Sequence, residues 1–276
     1  MERRKVICVV GPTACGKTTL GVLLAKKYGG EVVSADSMQV YRRMDIGTAK
    51  PTPEEMQGVP HHMLDVADPW ENYSVARYVE EAVPVVDDIL ARGKLPIVAG
   101  GTGLYIDNLV AGRQFAPFQA DSGLRQTLQH RAQTEGLEVL RQELAKVDPE
   151  SAQRLHPNDE KRIIRALEVY LSTGQTITAH NEATRAIPPR YTPLTIGLDF
   201  DQRPHLWARI DRRVDEMMAA GLAEEVRALL DSGVPVRCTA MQAIGYKEMA
   251  AALRGGGDVC AAAEEIKLRS RQYAKR

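Results

Sequence analysis

Gly11-Pro12-Thr13-Ala14-Cys15-Gly16-Lys17-Thr18 is the stretch that decides the fold. These residues satisfy G-x-x-x-x-G-K-[ST] at every fixed position, and the β-branched run Val6-Ile7-Cys8-Val9-Val10 leads directly into them. A buried strand, a glycine-rich turn and a helix form the context in which this pattern cradles phosphate. The spacing predicts a helix over Thr18 to Lys26, with Leu20, Leu23 and Leu24 on its inner side. An anion would rest over the N-terminus of that helix, where unbonded N–H groups and the helix dipole favour negative charge. Lys17 would neutralise phosphate oxygens, and Thr18 is placed to ligate a Mg²⁺ ion that the phosphates also hold. The pattern leaves open whether the phosphate belongs to ATP, GTP or another compound.

Further along, Glu31-Val32-Val33-Ser34-Ala35 reads as a second buried strand that ends at Asp36-Ser37. Ligands of open α/β sheets collect at the carboxyl ends of strands, so Asp36 is expected beside the phosphate loop. Its carboxylate either accepts a proton or hydrogen bond from a substrate or caps the following turn, and the two roles are compatible. The segment from Gln39 to Pro69 reads as loops, and the adjacent His61 and His62 point in different directions, which argues against a metal pair. Ser74 predicts a helix start, with Val75, Val79, Ala82, Val86, Ile89 and Leu90 apolar at helical spacing as far as about Ala91 and a kink at Pro84. Leu95 to Ala99 reads as a third strand, ending in Gly100-Gly101-Thr102-Gly103-Leu104-Tyr105. There Thr102 either serves a plain turn or offers its hydroxyl to a phosphate or ribose.

From Arg113 the strand signals vanish, and a polar, Gln- and Arg-rich, helical segment runs from near Pro117-Phe118 to Ile187-Pro188-Pro189-Arg190. The expected fold is therefore α/β: a P-loop NTPase-like parallel sheet flanked by helices, carrying an inserted all-helical domain. The boundaries read as 1–112 for the first part of the core, 113–193 for the insert and 194–276 for the rest. Within the insert, a helix after Asn158-Asp159 places Ile163, Leu167, Tyr170 and Leu171 on one face and Lys161, Arg162 and Arg165 toward the other. A basic face of this kind is either solvated or holds a phosphate backbone. The sheet resumes at Leu194, and a long helix follows with Leu206, Ile210, Val214 and Met217 apolar. Arg209 and Arg213 stand one turn apart on it, either as a diphosphate clamp or as partners of Asp211, Asp215 or Glu216. The end from Ile266 to Arg276 has five basic residues and no acid, which predicts an exposed helix facing a polyanion.

The 276 residues are 44% hydrophobic, ample for a core, and their 36 basic and 36 acidic side chains cancel. Nucleic acid must then be bound by a local patch. Cys8, Cys15, Cys238 and Cys260 lack metal-ligand spacing and read as reduced thiols. Arg3-Arg4-Lys5 precedes an apolar run too short for a signal peptide, and no stretch reaches the roughly 20 apolar residues of a membrane span, so a cytoplasmic protein without membrane attachment is expected.

Seven blocks together resemble the tRNA dimethylallyltransferase (isopentenyltransferase) family: GPTACGKT at 11–18, SADSMQVY at 34–41 continuing to MDIGTAKP at 44–51, GGTGLY at 100–105, LHPND at 155–159 with KRIIRALEVY at 161–170, RIDRRVDEM at 209–217, AGLAEEV at 220–226 and AIGYKE at 243–248. They stand in the family's order and cover nearly the whole chain. The resemblance implies transfer of a dimethylallyl group from dimethylallyl diphosphate to N6 of the tRNA adenosine at position 37, next to the anticodon, by a monomer. In that scheme the loop 11–18 holds the prenyl diphosphate, Mg²⁺ sits on Thr18, and Asp36, Thr102, Arg209 and Arg213 are catalytic. The family pattern also implies tRNA contacts at Asp36, Ser37, Met38 and Gln39, at Thr102 and Arg125, at Lys161, Arg162, Ile163, Ile164 and Arg165, and at Gln242, Ala243, Ile244, Gly245, Tyr246 and Lys247. Cys15 stands where the family commonly has Ser, and the chain stops at Lys275-Arg276 where relatives continue, so a shortened C-terminus is expected. Two other classes compete: a small-molecule kinase with ATP in the loop, and an RNA-binding protein that keeps the loop without catalysis.

Overall fold

The apolar run after Arg4 forms strand β1 (Lys5–Val10) in the computed structural model of the protein, which describes residues 4–113, 122–185 and 188–275. Arg3, Pro117-Phe118, Ile187 and Arg276 lie outside the described residues. Two compact units divide the chain, one of Met1–Gly112 with Pro189–Arg276 and one of Arg113–Pro188.

In the first unit the chain passes from β1 to helix α1 (Lys17–Tyr28), β2 (Gly30–Ser34), the short helix α2 (Pro53–Met56), β3 (His61–His62), α3 (Val75–Ala91), β4 (Leu95–Ala99) and α4 (Gly103–Ala111). Strand β5 (Thr192–Gly197) completes a parallel sheet of order β3-β2-β4-β1-β5. Period-2 alternation splits its apolar residues between two faces. Ile7, Val9, Val32 and Ile97 pack with Val22 and Ala25 of α1, and each such fully buried aliphatic side chain contributes about 1.5–3 kcal/mol. The inner side of α1 is thus Gly21, Val22 and Ala25, with Leu20 and Leu24 at its margin; Leu23, expected inside, is 55% exposed. Small residues face the sheet because the helix lies close to it.

The stretch read as loops contains α2, closed by a capping box between Thr52 and Glu55, and β3, which pairs with β2 through Val32 and Val33. His62 on that strand bonds Glu31 through Nε2 at 2.8 Å, and His61 Nδ1 faces the carbonyl of Val59. Ser74 accepts from the N–H of Arg77 and starts α3 as expected, and the helix runs through Pro84 to Ala91. Strand β5 begins at Thr192, two residues before the expected start. Pro193 fits there because β5 pairs with β1 alone, so no ladder bond needs its missing N–H. Tyr191 already belongs to this unit, its hydroxyl donating to Asp87 of α3 at 2.8 Å; the helical unit closes at Pro188, not Pro193.

The second unit holds α5 (Ser122–Thr134), α6 (Leu137–Val147), α7 (Pro149–Arg154), α8 (Glu160–Thr173) and α9 (Ile177–Arg185). Its core is Leu128, Leu140, Leu144, Ile163, Ile164 and Leu167 with their neighbours. Asp159 caps α8 by accepting from the N–H of Arg162. The buried face of α8 is Ile163, Ile164, Ala166 and Leu167, whereas Leu171, expected inside, is 55% exposed.

After β5 come α10 (Arg203–Ala219), α11 (Leu222–Asp231), a single 3₁₀ turn (Ala240–Gln242), α12 (Tyr246–Gly255) and α13 (Val259–Tyr273). The tail helix α13 is not the bare cationic rod that the sequence suggests. Ile266 is buried, Lys267 pairs with Asp215 at 2.7 Å, Arg269 with Glu265 at 2.6 Å and Arg271 with Asp211 at 2.7 Å, and Lys275 lies 5.8 Å from the Trp207 ring. Acids on α10 and on α13 itself neutralise the basic side chains.

Candidate active site

The turn between β1 and α1 places the backbone of residues 11–18 around the open N-terminus of α1, with Ala14 held at φ 62°. A non-glycine residue in that left-handed region stores strain of a kind common at ligand clamps. Lys17 folds over the loop, its Nζ donating to the carbonyls of Gly11 at 3.0 Å and Pro12 at 2.6 Å and lying 3.9 Å from Cys15 Sγ. Burial lowers the Lys17 pKa, opposed by the charges of Cys15 and Asp36, while Arg213 pushes it down further. A buried ammonium short of counter-charge is a site that an anion stabilises.

From the far side, Arg209 Nε donates to the carbonyl of Ala14 at 2.8 Å, and its guanidinium lies 5.8 Å from the Phe200 ring. Arg213, one turn along α10, has its pKa lowered by burial, against the charges of Asp36, then Glu55 and Glu216. The competing acids are occupied elsewhere, Asp211 with Arg271 and Asp215 with Lys267. Among the described residues neither arginine has an ion-pair partner, so both remain available to a diphosphate.

Asp36 follows β2 directly. Its Oδ1 accepts from the N–H groups of Met38 at 2.9 Å and Gln39 at 3.4 Å, so the carboxylate caps its own turn. Oδ2 has no hydrogen-bond partner among the described residues. The cap fixes the carboxylate and leaves one oxygen for chemistry. Strand ends β2 and β4 are laced together beside it. A Cβ on Gly100 would fall 2.1 Å from the carbonyl oxygen of Ala35, so only glycine allows this approach, and Thr102 N–H donates to that carbonyl at 3.1 Å. The Thr102 hydroxyl, expected to offer itself to a phosphate or ribose, accepts from Ser37 N–H at 3.0 Å and donates to Ser37 Oγ at 3.2 Å. Gln39 is also engaged, its amide donating to the carbonyls of Thr48 and Ala49 and accepting from the Ser34 hydroxyl. Ser37 and Met38 are half-buried.

One carboxylate that the sequence reading missed organises this region. Glu225 of α11 accepts from the N–H groups of Asp45 and Ile46 at 2.8 Å each, from Gly47 at 3.1 Å, and from the Tyr246 hydroxyl at 2.5 Å. A Cβ on Gly47 would lie 2.5 Å from the Tyr246 ring. Tyr246 is fully buried and Gly245 is buried, so within the segment 242–247 the Tyr246 side chain serves packing. Ala243 and Ile244 are half-buried, while Gln242 and Lys247 are exposed.

In the helical unit, Lys161 and Arg162 are exposed, and Arg162 lies 3.4 Å from Asp159. Ile163 and Ile164 are core residues at 0% and 3% exposure, which removes their side chains from any RNA surface. Arg125 and Arg165 converge on Oε2 of the fully buried Glu168 at 2.7 and 2.9 Å. Both guanidinium groups are therefore held in place by a buried charge.

Among the described residues the Thr18 hydroxyl has no hydrogen-bond partner, and no group of three His, Cys, Asp or Glu side chains could cage a metal. A free hydroxyl is a donor that suits Mg²⁺, which binds through one or two protein oxygens together with phosphates and water. Among the described residues no helix is long and apolar enough to cross a membrane.

A phosphate loop at the mouth of a parallel sheet, faced by two arginines and a capped aspartate, defines an enzyme with a P-loop NTPase-like core. The family model described as IPP transferase matches residues 39–276. A tRNA dimethylallyltransferase of Caldanaerobacter subterraneus is 49% identical over 273 residues, 99% of this chain and 87% of that protein. The crystal structure of the full-length tRNA isopentenylpyrophosphate transferase of Bacillus halodurans is similar with a TM-score of 0.72 at 44% identity, over 99% of this chain and 85% of that one. A eukaryotic dimethylallyltransferase captured acting on tRNA gives a TM-score of 0.83 at 33% identity, over 99% of this chain and 68% of that one. The chain belongs to the IPP transferase family.

Proposed function

We infer that the protein transfers a dimethylallyl group to tRNA, with dimethylallyl diphosphate as donor and N6 of adenosine 37 as acceptor. The observation that carries the reading is the grouping of Lys17, Arg213 and Asp36, whose charges act on one another beside the phosphate loop. The amine nitrogen attacks the allylic carbon, the carbon–oxygen bond to diphosphate breaks, and the amine loses one proton. Lys17, Arg209, Arg213 and the loop N–H groups stabilise charge growing on the leaving diphosphate, usually the largest catalytic contribution. Asp36 receives the proton at Oδ2 while Oδ1 stays on its cap. Thr18 would hold Mg²⁺, which supplies further neutralisation of the diphosphate. A stacked base cannot be reached by such a site, so the adenosine is extruded from its stack.

Exposed Lys161, Arg162, Gln242 and Lys247 are the side chains best placed for RNA contact. The reading takes the enzyme to act in the cytoplasm as a monomer. Nothing in the comparisons favours the kinase or the non-catalytic RNA-binding protein. The test is to incubate unmodified tRNA with dimethylallyl diphosphate and, separately, with ATP. Prenylated adenosine with one diphosphate released per transfer is expected; ATP consumption with the tRNA left unmodified would overturn the reading.

A further inference from the structure

The C-terminal helices carry a groove of about 480 Å³ lined by Arg237, Gln242, Lys247 and Arg254 over a floor that includes Met241 and Ala250. Arg237 and Arg254 were not singled out by any sequence motif. Both are exposed, as is Lys247, and among the described residues none of the three has an ion-pair partner. This sets the groove apart from α13, whose Lys267, Arg269 and Arg271 are all matched by acids. The acids nearest Lys247 and Arg254 in sequence are committed elsewhere: Glu248 accepts from Gly245 N–H at the start of α12, and Asp258 caps α13 through Cys260 N–H. Lys247 and Arg254 are seven residues apart on α12, two turns, so their Cα atoms are separated by about 10 Å along one face. Cations so spaced can meet more than one phosphate of a single strand, and the apolar floor suits sugar faces between them.

We propose that Arg237 and Arg254 extend the RNA contact at Lys247 into a groove that grips the sugar–phosphate backbone of the tRNA without reading its sequence. The proposal rests on the functional reading above and adds to it a contact that contributes affinity and not chemistry. Each phosphate contact formed releases counterions and steepens the salt dependence of binding by about 0.7–0.9 in log–log slope.

The test compares the full chain with an Arg237→Ala/Arg254→Ala double variant, measuring tRNA affinity over a range of salt concentrations and steady-state prenylation. The variant is expected to bind unmodified tRNA roughly tenfold more weakly, with a salt slope shallower by about 1.5. KM for tRNA should rise in step, while kcat and KM for dimethylallyl diphosphate stay unchanged. Affinity and slope equal to the parent's overturn the groove, as does a loss seen only with anionic phospholipid vesicles and not with tRNA. If the parent itself prenylates no tRNA, the functional reading fails instead; an active parent beside an unaffected variant sinks the groove alone. Thermal unfolding of the variant at the parent's temperature confirms that the exposed substitutions left the fold intact.

Discussion

Arg209 Nε donates to the carbonyl of Ala14 at 2.8 Å, so α10 grips the phosphate loop by its backbone. Arg213, one turn further on, is half-buried, and its charge acts on Lys17 and Asp36. Arg209 therefore has two tasks, shaping the loop through Nε and keeping its terminal N–H groups for the diphosphate, whereas among the described residues Arg213 makes no bond to the loop. Arg213→Ala is expected to lower kcat by about 10²–10³, the range for losing one preorganised charge-stabilising donor, with tRNA affinity unchanged. Arg209→Ala should lower kcat as well and, because the loop loses its anchor, also raise KM for the donor. Steady-state kinetics with each substrate varied separately read both effects.

Asp36 does two jobs through two oxygens, and a substitution can separate them. Asparagine keeps an oxygen to accept from Met38 N–H but cannot take a proton. Asp36→Asn should therefore lose about 10²–10⁴ in kcat while tRNA binding is largely kept. Equal loss of transfer and of affinity, measured by filter binding, would show that Asp36 chiefly positions the RNA.

Ile163 has no exposed surface and sits in the core of the helical unit. Ile163→Ala is expected to cost about 2–5 kcal/mol of stability by leaving a cavity. Lys161→Ala, on the exposed side of the same helix, should stay within about 0.5 kcal/mol. Denaturant unfolding of both variants separates packing from surface chemistry on α8.

Glu31 is buried beneath the sheet edge, with Arg92 Nη2 at 2.8 Å, Lys94 Nζ at 2.7 Å and His62 Nε2 at 2.8 Å. The Arg92 hydrogen bond leads in holding its carboxyl well below the usual range, against the opposing effect of burial, with Lys94 and His62 adding to it. The folded value is depressed, so this stability is fully present above the unfolded glutamate value of about 4.3 and is lost as pH falls toward the folded one. Melting temperatures measured from pH 7 downward should fall on the acid side, and Glu31→Gln should flatten that limb while lowering stability at neutral pH.

The phosphate loop was legible because its chemistry is local: eight consecutive residues set the turn, the lysine and the hydroxyl. Arg209 and Arg213 were legible as a pair from helical spacing alone, but their freedom from Asp211 and Asp215 depended on α13 supplying other partners. Strand β3 was hidden because two histidines carry no strand pattern, and it exists only by pairing with β2. The inner side of α1 was misassigned because close packing favours Gly21 and Ala25 over the larger Leu23. The burial of Glu168 was hidden because only one of its guanidinium partners, Arg165, is local, and the other, Arg125, comes from α5.

The role of Glu225 was the least visible of all, since three of its four partners are backbone N–H groups that any residue type supplies. Those groups precede it by 178 to 180 residues. At ribosomal speeds of 5–20 residues per second, roughly 10–35 s separate the synthesis of residues 45–47 from that of the carboxylate that fastens them. A nascent chain therefore emerges with residues 45–47 untethered until the carboxylate of α11 has been made. Translation that terminates before codon 225 yields a chain lacking the fastening that sets residues 45–47.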